Sequence, residues 1–431
     1  MIASRHFLHF PIMDSFLVSS SGPLKGSVKI SGAKNAVLPI MAAAMLADGV
    51  SRIGNVPRLK DMRTMADVLR VTGCRIKENE NELCIDSSDI NHLEAPYELV
   101  KTMRASFYVL GPLVAKFGKC RVSLPGGCAW GPRPVDLHLK GLEALGAKIN
   151  ITHGYVEALC EGRLKGNAFS FPISSVGATA NILMAATLAE GTSVLQNSSI
   201  EPEITALAEY LNGMGANISG IGSRTLIVEG NEKLNPGNGD TIADRIEAGT
   251  FLAAAAITRG CVKTTNMVAA HQDALLDVFE RMGCEITKGG NWVELNAEGR
   301  ELSPVHITTL PYPGFPTDMQ AQLMAVLTSV KGTSSVRDTI YNDRFKHVSE
   351  LERLGADISL KEDTAVINGG AVLSGAPVMA SDLRASAALV LAGLVAKGQT
   401  EISRIYHLDR GYESFEDKLS GLGAKLERKH G

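Results

Sequence analysis

The fold is decided by a short pattern whose clearest copy reads LERLGADI at residues 351–358. Its leucines recur at the spacing of one helix face, and Gly355 follows where a helix can end in the left-handed conformation that glycine tolerates. Ile358 and then residues 364–367, which read TAVI, continue as strands. The pattern therefore predicts a helix, a glycine cap and strands in immediate succession.

The same pattern recurs six times along the chain, at intervals of 68 to 73 residues. The glycines that end these helices are Gly73, Gly146, Gly215, Gly283, Gly355 and Gly423. A second set of glycines alternates with the first, each one after an alanine-rich apolar helix and before a β-branched strand. These are Gly49, Gly118, Gly191, Gly260, Gly332 and Gly398. Such periodicity indicates a repeat architecture in which each unit of about 70 residues carries two helices and several strands.

Six units, three to a domain, predict two similar α/β lobes. Helices that are apolar nearly all round are predicted to be buried, whereas the amphipathic stretch 204–214 is predicted to lie outside. Residues 231–240, rich in glycine, proline and asparagine, are predicted to cross between the lobes. Residues 24–30 are predicted to complete the sixth unit, which places both chain ends in the second lobe. A solenoid is the alternative, but the strand content and the matched halves favour a closed two-lobed enzyme.

Composition narrows the functional class. A net charge of -3 argues against bulk nucleic-acid binding, so an anionic ligand needs a local cluster of cations. The 7 cysteines include no Cys-x-x-Cys pair and the 10 histidines show no metal-ligand spacing, which predicts free thiols in a reducing compartment and no metal. No apolar run reaches the ~18 residues of a spanning helix, and residues 1–12 do not read as a signal peptide. We therefore expect a cytoplasmic protein with no membrane insertion.

Polar residues stand where the six buried helices are predicted to start, 14 to 16 residues before each glycine of the second set. They are Lys34, Arg104, Ser175, Asp244 with Arg245, Asp318 and Arg384. A helix N-terminus carries partial positive charge and unpaired N–H groups, so it suits anions. Capping alone explains the serine and the aspartates. It explains the cations poorly, because a helix start repels them, and their presence suggests a bound anion.

A loop rich in glycine and proline surrounds one cysteine; residues 123–138 read SLPGGCAWGPRPVDLH. This composition predicts that Cys128 lies on an exposed, mobile loop, although cysteines are usually buried. Arg133 nearby would favour the thiolate or a thiol poised for proton transfer. An incidental thiol on a surface loop is the alternative. Trp130 is predicted to cover a ligand or a neighbouring lobe.

For the remaining charged and glycine-rich segments, a structural interpretation is favoured over a functional one. Glu201 and Glu203 are typical of charges at the start of a helix. For Glu201, the alternative is a side chain that extends into a cleft. The cations of residues 425–429, Arg428 among them, are predicted to form a solvated face. The glycine-rich stretches match neither a P-loop nor a dinucleotide fingerprint, so no cofactor is expected.

Six ordered motifs together resemble the UDP-N-acetylglucosamine enolpyruvyl transferase family, which catalyses the first committed step of peptidoglycan synthesis. The motifs are SGAKN at 31–35, KTMRAS at 101–106, the Cys128 loop, SVGAT at 175–179, FPTDMQ at 315–320 and DRGYE at 409–413. The match begins near Met13. The resemblance implies a two-lobed inside-out α/β barrel of six repeats, three per lobe, with substrates between the lobes. The expected lobes are 34–242, with the Cys128 loop, and 13–33 with 243–431, after an extension at 1–12.

The resemblance also implies the substrates, phosphoenolpyruvate and UDP-N-acetylglucosamine, and the role of each site residue. Lys34, Arg133 and Arg410 would hold the phosphate and carboxylate of phosphoenolpyruvate. Asp318 would take the proton of the sugar 3-hydroxyl as that oxygen attacks C2, and Cys128 would deliver a proton to C3. The other contacts would be Asn35 to the sugar, Pro134, Val135, Asp136 and Leu137 to the uracil, Ser175, Val176 and Gly177 near the diphosphate, Arg104, Arg344 and Arg384 to the anions, and Ile340 to the nucleotide.

Two residues depart from the family pattern, and two alternative functions are open. Trp130 and Pro132 replace the smaller residues that are common near the family's cysteine, which bears on the mobility of the loop. The 3-phosphoshikimate carboxyvinyltransferases share the sixfold architecture but lack this loop, so Cys128 discriminates between the two. A catalytically dead binding paralogue is the second alternative, and the intact Lys34, Cys128, Asp318 and Arg410 argue against it.

Overall fold

A computed structural model describes residues 14–125 and 135–431. The chain divides into two compact units. The central unit comprises Ile30–Arg245 and Pro311–Gly314, and the terminal unit comprises the chain up to Lys29, Ile246–Leu310 and Phe315–Gly431. The terminal unit therefore contains both ends of the described chain. The functional lobes expected at 34–242 and at 13–33 with 243–431 stay a prediction.

Helices recur in pairs along the chain. In chain order, the α-helices in the described ranges are α1 Lys34–Ala43, α2 Lys60–Thr72, α3 Tyr97–Val100, α4 Leu110–Phe117, α5 Asp136–Ala144, α6 Val176–Ala186, α7 Pro202–Gly213, α8 Arg245–Thr258, α9 Asp273–Arg281, α10 Gln320–Thr328, α11 Val348–Arg353, α12 Leu383–Gly393 and α13 Phe415–Gly421. Short 3-10 helices occur at Ala44–Leu46, Arg104–Val109, Ala269–Gln272, Thr317–Met319, Asn342–Phe345 and Ile405–Arg410.

Strands fill the intervals between the helices. In chain order they are β1 Ser15–Ser19, β2 Lys25–Lys29, β3 Val50–Gly54, β4 Arg75–Glu78, β5 Glu82–Asp86, β6 Glu94–Ala95, β7 Lys119–Ser123, β8 Lys148–Thr152, β9 Tyr155–Leu159, β10 Ala168–Ser170, β11 Thr192–Gln196, β12 Asn217–Ser219, β13 Thr225–Glu229, β14 Asn238–Asp240, β15 Cys261–Thr265, β16 Glu285–Lys288, β17 Trp292–Asn296, β18 His306–Thr309, β19 Gly332–Asp338, β20 Asp357–Lys361, β21 Thr364–Gly369, β22 Pro377–Met379, β23 Gln399–Ser403 and β24 Lys425–Lys429.

The strands form six four-stranded sheets within the described ranges, and all six have one topology. The first strand runs parallel to the second, and the third and fourth are antiparallel to their neighbours, as in β18-β19-β21-β20. The central unit holds β14-β3-β5-β4, β6-β7-β9-β8 and β10-β11-β13-β12, and the terminal unit holds the other three. The predicted six-repeat α/β fold, with three repeats in each unit, is therefore confirmed.

Alanine-rich helices form the core of each unit, as their all-round apolar sequences predict. They are α1, α4 and α6 in the central unit and α8, α10 and α12 in the terminal unit, and nearly all their residues are buried. Small side chains let α10 contact α12 and α4 contact α6. The strands alternate buried and exposed residues, as in β13 and β23, so one face of each sheet covers the helices. With helices inside and sheets outside, each unit is an inside-out barrel.

The repeat glycines adopt the conformation that the pattern predicts. All six glycines of the first set have positive φ, between 91° at Gly146 and 108° at Gly73. In the second set, five of the six do, and Gly260 is the exception because Arg259 takes the left-handed position with φ 54°. A Cβ at Gly260 would lie 2.0 Å from the Leu24 carbonyl oxygen, so close backbone approach requires glycine there.

The N-terminal strands pair differently from the prediction. Residues 24–30 do not complete the sixth repeat, because β2 runs parallel to β15 in the sheet of the fourth repeat. The sixth sheet is completed by β1, which lies between β23 and β24. Residues 231–240 do not leave the central unit either, since β14 pairs with β3 and the unit continues to Arg245. Backbone hydrogen bonds pair strands with little regard to side chains, so periodicity alone did not identify these partners.

The amphipathic stretch 204–214 is also placed differently from the prediction. Helix α7 contacts α1 and α6, and most of its residues are buried, with Glu209 among the exposed ones. Its polar residues Glu203 and Tyr210 are themselves buried. The polar side chains of α7 made the helix look amphipathic in the sequence, although they pair with other polar groups inside the unit.

Candidate active site

In the terminal unit, three residues that the sequence predicts for the site come together around one carboxylate. Asp318 lies in the 3-10 turn that leads into α10. Its Oδ1 is 2.5 Å from Arg344 Nη2, and its Oδ2 is 2.9 Å from Arg384 Nη2. Both cations are more than four-fifths buried. The predicted anion-binding arginines thus also hold the predicted base.

This ion-pair geometry controls the acidity of Asp318. Burial by itself raises the pKa of a carboxyl, but the two guanidinium groups oppose burial and hold the pKa of Asp318 well below its usual range. Asp318 is therefore ionised over the whole physiological pH range. It can accept a proton readily only when the charge of Arg344 and Arg384 is offset by another anion.

Arg384 connects the carboxylate to a buried polar network that was not predicted from the sequence. Its Nη1 donates to the Tyr412 hydroxyl at 3.3 Å. That hydroxyl lies 2.9 Å from Thr250 Oγ1 and accepts from Gln322 Nε2 at 3.2 Å. Thr250 and Gln322 are buried polar residues within the alanine-rich helices α8 and α10, and a polar residue inside a mainly apolar helix is the signal that could have located them.

The start of α12 resolves the two interpretations of Arg384. Asp382, not Arg384, is the N-cap, and its Oδ1 accepts from the backbone N–H groups of Arg384 at 2.8 Å and Ala385 at 3.0 Å. The helix start is therefore capped by a carboxylate, which offsets the unfavourable position of the neighbouring cation. Arg384 is held by Asp318 and Tyr412 rather than by the helix.

Arg410 ends a 3-10 turn that is anchored by Arg428. Arg428 Nη2 is 2.6 Å from Asp409 Oδ1, Nε is 2.6 Å from Glu416 Oε1, and Nη1 is 3.4 Å from Asp14 Oδ2. The hydrogen bond to Asp409 raises the pKa of Arg428. The prediction of a solvated face is therefore wrong for Arg428, because three carboxylates hold it and place the segment that carries Arg410.

In the central unit, Lys34 begins α1 and has an acidic partner that the sequence did not reveal. Lys34 Nζ is 3.2 Å from Asp61 Oδ2, and both side chains are largely shielded from solvent. Asp61 lies in the first turn of α2, a position that sequence alone does not distinguish from that of an ordinary helix-start charge. Asn35 follows Lys34 and is half-buried. The cation at this helix start is thus stabilised by a carboxylate before any ligand binds.

Some of the residues expected near the nucleotide lie close to a buried histidine, His138. Ser175 caps α6, accepting from the Ala178 N–H at 3.4 Å, so the capping interpretation holds for this serine. Gly177 follows in the same turn, and a Cβ there would lie 3.2 Å from His138 Nε2. Val176 begins α6, while Val135 directly precedes α5, which begins with Asp136 and Leu137.

A hydrogen-bond network fixes His138 behind these residues. Asn181 Nδ2 lies 3.0 Å from His138 Nδ1 and donates to the Phe107 carbonyl oxygen at 3.0 Å. Asn181 Oδ1 accepts from the Gly111 N–H at 2.6 Å. Burial and then the charge of Arg104 lower the pKa of His138 to about 3, against the opposing effect of Asp136. The imidazole is therefore neutral, and it joins helices α5 and α6 to the turn that Arg104 begins.

Glu203 lies in the first turn of α7, as predicted, and it also forms a buried ion pair. Arg245 Nε is 2.9 Å from Glu203 Oε1, and the Arg245 guanidinium lies 5.6 Å from the centre of the Tyr312 ring. Asp244 is anchored through its backbone N–H, which donates to the Ser31 carbonyl oxygen at 2.9 Å. Arg245 thus has a protein anion as a partner, and its position at a helix start does not require a ligand.

Five residues with sequence-based expectations fall in the segment 126–134. Cys128, Arg133 and Pro134 lie outside the described residues, as do Trp130 and Pro132. Ile340, in contrast, is described and is 44% exposed, and its backbone N–H donates to Asp338. Across residues 14–125 and 135–431, no three His, Cys, Asp or Glu side chains are grouped as metal ligands. In the same ranges, no helix combines the length and apolarity that crossing a membrane requires.

Comparison with known proteins places this geometry in a family. A family model described as EPSP synthase (3-phosphoshikimate 1-carboxyvinyltransferase) matches residues 18–419. The UDP-N-acetylglucosamine 1-carboxyvinyltransferase of Chlorobaculum parvum is 53% identical over 418 residues, which are 96% of this chain and 98% of the relative. The enzyme of the same name from Acinetobacter baylyi is 52% identical over 416 residues, 96% of this chain and 100% of the relative. The chain belongs to the UDP-N-acetylglucosamine 1-carboxyvinyltransferase branch of the EPSP synthase family.

Solved structures agree with membership of the EPSP synthase family. The enolpyruvyl transferase NikO from Streptomyces tendae superposes with a TM-score of 0.88 at 25% identity, covering 98% of this chain and 100% of that one. An EPSP synthase from Acinetobacter baumannii superposes with a TM-score of 0.75 at 19% identity, covering 97% and 100%, and it supports the fold alone. The resemblance inferred from the six motifs is confirmed, and this family member is an enolpyruvyl transferase.

Proposed function

We propose that this chain transfers the enolpyruvyl group of phosphoenolpyruvate to the 3-hydroxyl of UDP-N-acetylglucosamine and releases phosphate, the first committed step of peptidoglycan synthesis. The observation that carries the proposal is identity above 50% over nearly the full length of relatives with that enzyme name. The grouping of Asp318, Arg344 and Arg384 supports it, because a carboxylate beside two cations suits an acid–base step on a multiply anionic substrate.

The proposed reaction is an addition followed by an elimination. The 3-hydroxyl oxygen attacks C2 of phosphoenolpyruvate and gives its proton to Asp318, while C3 gains a proton from Cys128. This forms a tetrahedral ketal. The Cys128 thiolate then takes a proton back from C3 as phosphate leaves C2, which restores the carbon–carbon double bond as an enol ether. Each proton transfer by a positioned group contributes about 10²–10⁴-fold to the rate.

The arginine pair gives Asp318 a substrate-dependent basicity. With both guanidinium groups unopposed, the carboxylate is held ionised and is a weak base. The phosphate and carboxylate of phosphoenolpyruvate would compete for Arg344 and Arg384 and would offset their charge. The pKa of Asp318 would then rise when phosphoenolpyruvate binds. Lys34, Arg133 and Arg410 complete the proposed set of cations for this substrate, and Arg104 with residues 175–177 would receive the diphosphate.

We also propose that the enzyme acts in the cytoplasm. The six cysteines among the described residues are free thiols. Free thiols suit a reducing compartment.

The test is phosphate release with two alternative acceptors. Enzyme mixed with phosphoenolpyruvate and UDP-N-acetylglucosamine is expected to release one phosphate per acceptor consumed, whereas shikimate 3-phosphate is expected to give no release above background. The family model carries the 3-phosphoshikimate name, so this second acceptor is the matched comparison. Release with shikimate 3-phosphate and not with the nucleotide sugar would assign the alternative function, and release with neither would support a binding paralogue.

A further inference from the structure

Asp338 is a fully buried carboxylate that no sequence motif marked. It ends β19 and is 0% exposed. Its Oδ1 accepts from Thr309 Oγ1 at 2.8 Å and from the backbone N–H groups of Ile340 at 3.0 Å and Tyr341 at 2.9 Å. Its Oδ2 accepts from Thr317 Oγ1 at 2.7 Å. Within the described part of the chain, no lysine or arginine forms an ion pair with it, so hydrogen bonds alone stabilise this buried charge.

The hydrogen bond from Thr317 has a direction that affects the candidate active site. A carboxylate can only accept, so the single hydroxyl proton of Thr317 must point to Asp338. The lone pairs of Thr317 Oγ1 are then free to accept from Arg344 Nη1, which lies 2.9 Å away. The other terminal nitrogen of Arg344 is the one that lies 2.5 Å from Asp318. A relay thus runs from Asp338 through Thr317 and Arg344 to Asp318.

We propose that Asp338 is a positioning residue with two functions: through Thr317 it holds Arg344 against Asp318, and through two backbone N–H groups it holds the turn that carries Ile340. The relay itself is a property of the fold. Its importance for catalysis and nucleotide binding rests on the proposed function, which assigns Asp318, Arg344 and Ile340 to the site.

Three substitutions separate the relay from simple packing. Asp338→Asn keeps the shape of the side chain. The three groups that donate to Oδ1 would keep the amide oxygen of the asparagine on their side. The NH2 group would then face Thr317 and donate to it, so the hydroxyl proton would turn toward Arg344, which also can only donate. Thr317→Val removes the hydroxyl and keeps the β-branched shape. Thr317→Ser keeps the hydroxyl and is the conservative rescue.

The first readout is unfolding in urea without any substrate. Among the described side-chain hydrogen bonds, those of Thr317 join the Asp338 carboxylate to the Arg344 guanidinium, so the relay makes Asp338→Asn and Arg344→Met non-additive. We expect the unfolding constant of the double variant to depart about threefold to tenfold from the product of the single effects, as coupled residues do. Asp363→Asn, on a neighbouring exposed pair with Arg337, is the matched control and should combine with Arg344→Met additively. Additive effects for Asp338→Asn as well would overturn the relay.

The second readout is the kinetics of phosphate release. We expect Thr317→Val to lower kcat, Asp338→Asn to lower kcat and also raise the KM for UDP-N-acetylglucosamine, and Thr317→Ser to resemble the wild type. The double variant Asp338→Asn with Thr317→Val should have the same kcat as Asp338→Asn alone. Multiplied losses in kcat, or a Thr317→Ser enzyme as slow as Thr317→Val, would contradict the relay. Wild-type enzyme that releases no phosphate would refute the proposed function instead, and the urea experiment would still decide the relay.

Discussion

Replacing Asp318 by asparagine should damage both activity and stability, by amounts that the ion-pair geometry sets. The carboxylate contacts Arg344 at 2.5 Å and Arg384 at 2.9 Å, and the arginine side chains are only 12% and 5% exposed. Removing one partner of a buried ion pair costs about 3–5 kcal/mol. Because a quarter of the Asp318 side chain is exposed, solvent screens part of this interaction, and we expect about 2–3 kcal/mol. Loss of the base should lower kcat by about 10²–10⁴-fold.

The pH dependence of this loss distinguishes a charge effect from a packing effect. The pKa of Asp318 in the folded protein lies well below that of an unfolded aspartate, so the ionised group stabilises the fold above about pH 4. This stabilisation is lost as the pH falls through the folded-state pKa. The difference in urea unfolding between wild type and Asp318→Asn should therefore be full at pH 7 and should shrink in acid. A difference that is constant with pH, or a variant with wild-type turnover, would refute the reasoning.

Further outcomes follow from the same physical arguments. Fosfomycin, an epoxide mimic of phosphoenolpyruvate, should alkylate Cys128 alone, while Cys128→Asp should keep turnover and resist inhibition; intact-mass labelling at another cysteine would contradict this. Removing residues 1–12, which lie outside the repeats, should leave the melting temperature and phosphate release nearly unchanged, and a large loss of either would show that the segment docks. Asn181→Leu leaves the Gly111 N–H and His138 Nδ1 without a partner and should destabilise the protein by about 2–4 kcal/mol in urea unfolding; a cost below that of an exposed control such as Asp363→Asn would contradict the network.

The acid–base behaviour of the two units differs for a physical reason. Asp318 is buried beside two cations, so its charged form is favoured. His138 is buried beside Arg104, so its charged form is disfavoured by burial and by the like charge together. The charges beside each group therefore keep the first ionised and help to keep the second neutral, and in the ligand-free protein neither titrates near neutral pH. In the ligand-free protein, any change near pH 7 should therefore come from other groups.

The sequence by itself determined the repeat architecture and the interior of each unit. Six glycine-capped helices at a regular spacing require one local structure six times, because a left-handed cap and an apolar helix are properties of neighbouring residues. The motif resemblance also named Asp318, Arg344 and Arg384, which the structure brings together from three separate segments.

Only the tertiary structure decided which groups pair across the chain. Contacts between distant segments join Asp61 to Lys34, Glu203 to Arg245 and Asp338 to Thr317. A charge in a helix turn looks the same in sequence whether it faces water or a partner. The same holds for β2, which joins the fourth repeat although its position in the chain suggested the sixth. Strand pairing and buried ion pairs depend on distances in space, whereas periodicity and capping depend on distances along the chain, and only the second kind can be read before the chain is folded.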